Sequence, residues 1–257
     1  MRFSYIILAC LSLHSAIIYA APGIHYDLIG ERYHNPKIFT QGLEIHQDKF
    51  YESSGLYNLS NWLIYPINFS ESKWAQMTTK PEYIFKLPKR YFAEGMTVFN
   101  GKIFVLTWNE KKLFVFDSET KKQLKSITYQ GEGWGLTHDD QHLIRSDGSS
   151  TLYFHNAESF AIEKIIQVKD KDQLLDQLNE LEYVNGFIWA NIWYKNNIIK
   201  IDPKTGNVIG EMDLTELAKG QFDNEEKVLN GIAWDEKRQA FWVTGKWWKK
   251  MFLIKVK

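Results

Sequence analysis

The stretch FAEGMTVFNGKIFVLTW, residues 92–108, consists of two apolar runs separated by a short polar turn, which is the pattern of two consecutive β-strands. Its first half recurs: a Gly is preceded by a polar or aromatic residue and followed by an apolar run. The five copies are FTQGLEI (39–45), FAEGMTV (92–98), GWGLTHD (133–139), LNELEYV (178–184), where Glu180 replaces the Gly, and LNGIAWD (229–235).

The spacing of these copies indicates the fold. Aligned on the residue before the Gly, they lie 53, 40, 45 and 51 residues apart, which is the length of a four-stranded propeller blade. Each copy is followed by further apolar runs, such as LFVFD, TLYFHN, NIIKID and MFLIKV. We therefore predict an all-β fold, one five-bladed β-propeller over residues 21–257, with a helical connection near 214–219. The alternative is an open sandwich whose repeats are accidental.

The last repeat contains three strands, since it runs out at Lys257. The segment HYDLIGERY (25–33) precedes the first repeat and could supply the missing outer strand. Pairing these two segments would close the ring without leaving a free strand edge. We predict that the last blade is closed by this N-terminal strand.

Charge and composition restrict the function. The 257 residues include 31 basic and 31 acidic side chains, and this balance disfavours nucleic acid or an anionic membrane as the main partner. The 10 Trp, 13 Tyr and 16 Phe residues favour strands and an aromatic-lined pocket. A small-molecule or peptide ligand fits this composition best.

The N-terminus has the pattern of a secretory signal peptide. A basic start precedes an apolar run over residues 3–19, and the small residues Ala20 and Ala21 suit cleavage after either one. We predict a signal peptide over residues 1–20, export to the periplasm or the medium, and no stable membrane association after cleavage. The alternative is an uncleaved membrane anchor. The only cysteine, Cys10, would leave with the signal peptide.

The repeat alignment also predicts a site. The first strand of each blade lines the channel of a propeller, so equivalent residues converge on one mouth. The five residues that precede the Gly position are Gln41, Glu94, Trp134, Asn179 and Asn230. Such a ring forms a polar and aromatic pocket, although amides at strand starts also serve to satisfy turn backbones. Its one carboxyl group, on Glu94, lies in an apolar stretch that would raise its pKa.

The loops after the second strands reach the same mouth. Trp108 and Trp193 each follow their ring residue by 14 positions, and Lys246 follows Asn230 by 16. Two indoles and an ammonium group would therefore lie beside Glu94.

These residues resemble a known family. The segments FTQGL, ESSGLY, FAEGMT, GWGLT, SDGSS, LNELE, ANIW, LNGIA and VTGKWW, in this order, are similar to the plant and bacterial type of glutaminyl-peptide cyclotransferase (glutamine cyclotransferase). The resemblance runs from about residue 25 to the C-terminus, with departures at FAEG, where the family has FGEG, and after ESSGLY. It implies a five-bladed propeller that converts N-terminal glutamine of peptides to pyroglutamate with release of ammonia.

The resemblance also implies residue roles, because each family motif matches a position here. Glu94 of FAEG, Asn179 of LNELE and Lys246 of TGK are expected to be catalytic. The expected substrate-binding residues are Phe39, Gln41, Trp108, Trp134 and Trp193. The resemblance implies that no metal or other cofactor is required; the sequence leaves room for a structural calcium ion but does not predict one. The expected partners are peptides with N-terminal glutamine, and a monomer is expected.

Glu94 is predicted to shuttle a proton from the attacking amine to the leaving nitrogen. Whether Gln41, Asn179 or Lys246 holds the carboxamide oxygen stays open at this stage. One alternative is a non-catalytic propeller that binds a peptide or sugar at its aromatic mouth. Another is a propeller hydrolase with an axial calcium ion held by Glu94, Asn179 and Asn230. The pair His138 and His142 is interpreted as part of a turn between two strands.

Overall fold

A computed structural model describes residues 21–67, 80–221 and 225–257, and the predicted signal peptide over residues 1–20 lies outside these ranges. The secondary structure is almost entirely β. The strands are β1 (Tyr26–Tyr33), β2 (Thr40–His46), β3 (Lys49–Ser54), β4 (Asn61–Pro66), β5 (Tyr83–Lys86), β6 (Ala93–Phe99), β7 (Lys102–Thr107), β8 (Lys112–Asp117), β9 (Gln123–Thr128), β10 (Leu136–His138), β11 (His142–Ser146), β12 (Thr151–Asn156), β13 (Ile162–Gln167), β14 (Lys169–Asp170), β15 (Gln173–Leu174), β16 (Leu178–Val184), β17 (Phe187–Ile192), β18 (Asn197–Ile201), β19 (Val208–Asp213), β20 (Leu229–Asp235), β21 (Ala240–Gly245) and β22 (Lys250–Val256).

These strands form five antiparallel four-stranded sheets that follow one another along the chain. The sheets are β2–β5, β6–β9, β10–β13, β16–β19 and β20–β22 with β1, and we number them blades 1 to 5. The first strand of each blade contacts the first strands of both neighbouring blades, so that β2, β6, β10, β16 and β20 make a closed ring. The predicted five-bladed propeller is confirmed, and the open-sandwich alternative is wrong.

Burial explains why these runs become inner and outer strands. Every residue of the inner strand β6 is buried, because both of its faces lie against neighbouring blades. The outer strand β9 alternates between exposed and half-buried residues, because one of its faces meets solvent. Between each pair of neighbouring blades the described residues form one apolar cluster, which makes five clusters around the ring.

The N-terminal strand closes the last blade as predicted. Strand β1 pairs antiparallel with β22, from Tyr26 opposite Val256 to Tyr33 opposite Lys250. The next residue, His34, is buried with its Nε2 atom 2.9 Å from Oε1 of Glu52 on β3. This contact ties the end of the closing strand to blade 1.

The ring positions coincide with breaks in strand register. In four blades the first and second strands slip between Thr40 and Gly42, Ala93 and Met96, Leu178 and Leu181, or Leu229 and Ile232. A β-bulge turns a side chain away from the regular alternation. The irregularity therefore re-aims the side chains of Gln41, Glu94, Asn179 and Asn230 at the start of their strands.

The Gly of the repeat allows the inner strands to approach closely. A Cβ atom on Gly95 would lie 2.4 Å from the backbone nitrogen of Leu136, and one on Gly135 would lie 2.0 Å from the carbonyl oxygen of Asn179. Neither distance leaves room for a side chain.

The fourth repeat has Glu180 at this position, and its side chain has a different role. The Glu180 carboxylate is fully buried and accepts backbone hydrogen bonds from Leu43 on blade 1 at 3.3 Å and from Ile232 on blade 5 at 2.7 Å. It therefore links three blades across the axis, which explains the departure from the repeat.

The remaining elements agree with the sequence analysis. Helix α1 (Thr215–Ala218) lies in the connection between β19 and β20. His138 ends β10 and His142 begins β11, so the pair flanks a turn as interpreted. No helix in the described ranges is long and apolar enough to cross a membrane.

Candidate active site

One cavity of about 310 Å³ brings together all eight residues that the sequence analysis assigned to the site. They are Phe39, Gln41, Glu94, Trp108, Trp134, Asn179, Trp193 and Lys246. A larger cavity of about 420 Å³ lies at the opposite ends of the inner strands, and Glu44, His138 and Glu182 contribute to its wall. None of the eight predicted residues lines that second cavity.

The blade architecture positions each side chain. Gln41, Glu94 and Asn179 are each the second residue of an inner strand, namely β2, β6 and β16. Trp108 and Lys246 come directly after the second strands β7 and β21, as Trp193 does after β17. The inner strands thus contribute the polar floor of the cavity, and the loops after the second strands contribute its walls.

Glu94 lies at the floor and is 5% exposed. The side-chain nitrogen of Gln41 donates a hydrogen bond of 3.1 Å to its Oε1 atom. Burial raises the pKa of Glu94 well above its usual value, and the nearby carboxylates Glu132 and Glu110 raise it further, while Lys246 opposes the rise. The carboxyl group therefore keeps its proton to higher pH than an exposed glutamate does, and its carboxylate is a stronger base.

Lys246 is equally buried and supplies the cation of the cavity. Its Nζ atom lies 4.7 Å from the ring centre of Phe39 and 5.8 Å from that of Trp193. Burial lowers the pKa of Lys246 to about 8, against the opposing effect of Glu94 and Glu226. Its ammonium group is stabilised by aromatic faces, and it loses its proton as the pH rises through about 8.

The amides of the ring divide into two kinds. Asn230 does not line the cavity; its Nδ2 atom donates to the carbonyl oxygen of Thr40 at 2.9 Å and to Oε1 of Gln41 at 3.4 Å. It thus orients Gln41, which in turn contacts Glu94. Asn179 does line the cavity, and its Oδ1 atom has no hydrogen-bond partner within the described ranges.

Aromatic rings enclose the remaining sides. The indoles of Trp134 and Trp193 meet edge to face, with ring centres 5.3 Å apart. Phe92 makes similar contacts to Phe39 at 6.2 Å and to Trp108 at 5.6 Å. Edge-to-face packing fixes the orientation of each ring.

Four further residues line the cavity that sequence reasoning did not assign: Leu56, Phe92, Tyr194 and Glu226. The first three lie within or next to quoted motifs, since Leu56 belongs to ESSGLY, Phe92 begins FAEG and Tyr194 follows ANIW. A motif-based search could have included them. Glu226 belongs to no repeated segment and carries no such signal.

Among the described side chains there is no group of three or more His, Cys, Asp or Glu residues that could hold a metal ion.

Comparison with known proteins supports the family. A family model described as glutamine cyclotransferase matches residues 3–256. The chain belongs to the glutamine cyclotransferase family. A glutaminyl-peptide cyclotransferase from Arabidopsis thaliana is 35% identical over 236 residues, which cover 90% of this chain and 71% of the plant protein. The resemblance inferred from the nine motifs is thereby confirmed.

A solved structure of the glutamine cyclotransferase family also matches the fold. The crystal structure of glutaminyl cyclase from Myxococcus xanthus has a TM-score of 0.82 and is 35% identical to this chain. The match covers 92% of this chain and 98% of the bacterial one.

Proposed function

We propose that the protein is a glutaminyl-peptide cyclotransferase, which converts N-terminal glutamine of peptides and proteins to pyroglutamate and releases ammonia. The observation that carries this proposal is the buried Glu94, which lies with Lys246 in one aromatic cavity of a glutamine cyclotransferase family member. Both relatives compared above are named for glutaminyl cyclisation.

The reaction is an intramolecular aminolysis. The α-amine of the substrate attacks the carbon of its own side-chain carboxamide, so a C–N bond forms and closes a five-membered ring. The bond to the original amide nitrogen then breaks, and that nitrogen leaves as ammonia. The amine loses one proton and the leaving nitrogen gains one, so a single carboxyl group can serve both steps.

Glu94 is proposed to be this proton shuttle. As a carboxylate it takes a proton from the attacking amine, and as a carboxylic acid it delivers that proton to the leaving nitrogen. Its raised pKa makes the carboxylate a stronger base toward the amine, and the acid form that results then protonates the leaving nitrogen. The hydrogen bond from Gln41 keeps the carboxyl group oriented in both forms.

Lys246 and Asn179 are proposed to bind the substrate carboxamide. Gln41 already donates to Glu94, so Lys246 is the better placed donor for the negative oxygen that develops in the tetrahedral intermediate. Asn179 offers an amide whose oxygen lacks a partner in the described part of the chain, and a substrate N–H group would supply one.

The aromatic side chains are proposed to hold the substrate in its cyclising conformation. A cavity of about 310 Å³ suits one terminal residue rather than a long peptide segment. Phe39, Trp108, Trp134 and Trp193 would restrict the flexible glutamine side chain and bring the amine close to the carboxamide carbon. Such proximity lowers the entropic part of the barrier.

We further propose that the enzyme acts without a metal or cofactor, as a monomer, after export with residues 1–20 as a cleaved signal peptide. The proposed steps move protons between the substrate and one carboxyl group, so they need no Lewis acid. We expect a chelator to leave the rate unchanged, and a chelator-sensitive rate that is restored by a metal would contradict the metal-free proposal.

The decisive experiment compares Glu94→Gln with the wild-type protein in an assay of ammonia release from a glutamine-initiated peptide. The variant keeps an acceptor for Gln41 but cannot carry the proton, so we expect kcat to fall by about 10²–10⁴-fold. Glu182→Gln is the matched control, because Glu182 is another buried glutamate with a raised pKa but lies in the opposite cavity.

The control should retain wild-type activity. Near-normal cyclisation by Glu94→Gln would overturn the shuttle assignment. Absence of ammonia release by the wild-type protein, with peptide binding retained, would favour a non-catalytic binding protein.

A further inference from the structure

Glu132 lies just outside the cavity wall and holds two of its indoles. A single carboxylate oxygen, Oε2, accepts hydrogen bonds from Nε1 of Trp108 at 2.7 Å and from Nε1 of Trp134 at 2.9 Å. The two tryptophans come from different blades, because Trp108 follows β7 and Trp134 precedes β10. One side chain therefore sets the orientation of both rings.

The segment that carries Glu132 is itself held in place. Arg145 on β11 is 1% exposed and donates hydrogen bonds to the carbonyl oxygens of Gln130 and Glu132. Its Nε atom donates to Nε2 of His155 at 3.2 Å, and burial lowers the pKa of His155 to about 4. The imidazole is thus neutral at physiological pH and can accept this hydrogen bond.

The indole of Trp134 is also restricted on its other sides. Its ring lies against Gly148, where a Cβ atom would be 2.6 Å from the ring, and Trp193 meets it edge to face. Gly148 has a φ of +80°, which favours glycine. Packing thus defines where the ring lies, and Glu132 defines which way its N–H group points.

We propose that Glu132 is a positioning residue: its carboxylate joins Trp108 and Trp134 into one rigid wall that holds the glutamine side chain of the substrate against Glu94. This inference rests on the proposed function. A free indole N–H group in the wall would otherwise bind water or compete for the substrate carboxamide. The Glu132 carboxylate directs both N–H groups away from the reacting atoms.

The charge of Glu132 also acts on the proton shuttle. The titratable groups whose charges interact with Glu94 are Lys246, Glu132, Glu110, Tyr57 and Tyr129, and Glu226 faces Lys246. Glu132 and Glu110 both raise the pKa of Glu94. The two indole N–H groups donate to Glu132, whereas Glu110 accepts hydrogen bonds from the backbone of Phe92 and the hydroxyl of Tyr57.

This difference allows the two effects of Glu132 to be separated. Glu132→Leu removes the charge and both hydrogen bonds. Glu132→Gln removes the charge but keeps an oxygen that accepts from the indoles, and Glu110→Gln removes a comparable charge without touching them. The measurements are kcat and KM against pH for a glutamine-initiated peptide, and the indole N–H signals of Trp108 and Trp134 in ¹⁵N–¹H NMR spectra.

For Glu132→Leu we expect KM to rise about tenfold or more and both indole signals to move, because two hydrogen bonds to a charged acceptor are lost. For Glu132→Gln and Glu110→Gln we expect KM near the wild-type value. In both, the acidic limb of kcat should shift to lower pH, because removal of a negative charge lowers the pKa of Glu94.

The proposal is overturned if Glu132→Leu retains the wild-type KM and indole signals. It is also overturned if Glu132→Gln and Glu132→Leu have the same KM and the same indole signals. If Glu132→Leu does not fold, Glu132→Gln carries the test, because its neutral oxygen accepts hydrogen bonds more weakly than a carboxylate. Indole signals that do not move in that variant overturn the positioning role, and an unshifted acidic limb overturns the charge effect. The indole signals need no turnover. A wild-type protein that fails to cyclise glutamine would therefore contradict the proposed function, while the positioning of both indoles by Glu132 would still be testable from these signals.

Discussion

Glu94 and Lys246 lie in one cavity, and burial moves their pKa values toward each other. The pKa of Glu94 is raised and that of Lys246 is lowered to about 8. Each group partly offsets the effect of burial on the other, since the carboxylate and the ammonium attract. A carboxyl group of raised pKa beside an ammonium group of lowered pKa suits this cavity to proton transfer and to stabilising a developing negative charge.

The lowered pKa of Lys246 predicts the basic limb of the pH profile. The ammonium form is present below pH 8 and is lost as the pH rises through about 8, so kcat at saturating peptide should fall above that pH. In the Lys246→Arg variant the side chain keeps its charge to much higher pH. The fall of kcat above about pH 8 should therefore be absent from this variant, even where its rate is lower than that of the wild-type protein. Lys246→Met should lose about 10²–10³-fold in kcat.

A pH profile of Lys246→Arg that falls as the wild-type profile does would assign the basic limb to another group. The same peptide is used for all three proteins, so any titration of the substrate amine contributes equally to each profile.

The inner strands convert a repeated sequence pattern into a ring of side chains. In blades 1 and 2 the register slips where the ring residue occurs, and the Gly that follows allows the next blade to approach to contact distance. In blade 3, a Cβ atom on Gly135 would meet the carbonyl oxygen of Asn179, a residue of the cavity floor. Close packing of blades 3 and 4 and the placement of Asn179 therefore depend on the same glycine.

We predict that Gly135→Ala destabilises the protein by about 1–3 kcal/mol or more, because backbone atoms on blade 4 must move to admit the methyl group. This backbone movement would also displace Asn179, so the folded fraction of the variant should have a higher KM than the wild-type protein. Gly23→Ala is the control, since a Cβ atom there has no neighbour within 4 Å among the described atoms. Denaturant unfolding of both variants measures the difference, and equal stabilities would contradict the prediction.

Blade 5 is completed by the pairing of its outer strand β1 with β22, although the two strands are far apart in the sequence. Without β1, the edge of β22 would present unpaired backbone groups, and such an edge favours association with other chains. The buried contact between His34 and Glu52 adds a second link next to this closure.

We therefore expect a chain that begins at residue 34 to lose cooperative thermal unfolding and to form oligomers in size-exclusion chromatography. A chain that begins at residue 21 keeps β1 from Tyr26 to Tyr33 and should unfold as cooperatively as the full-length chain. A monomeric, cooperatively folded chain from residue 34 would show that the pairing of β1 is dispensable.

The repeat pattern alone predicted the architecture, its closure and the convergence of the ring residues, because strand periodicity and repeat length are local properties of the chain. The motif resemblance then named eight of the twelve residues that line the cavity. These predictions needed no distances, since symmetry of the repeat places equivalent positions at one mouth.

Other features arise only from packing between segments that are distant in the chain. The support of Gln41 by Asn230, the buried cation over Phe39 and the hydrogen bond from Trp108 to Glu132 depend on contacts between different blades. The raised pKa of Glu94 and the lowered pKa of Lys246 also depend on packing, because burial and neighbouring charges exist only in the folded protein. A local sequence pattern specifies which strand a residue belongs to, whereas its electrostatic surroundings are set by the blades that pack against it.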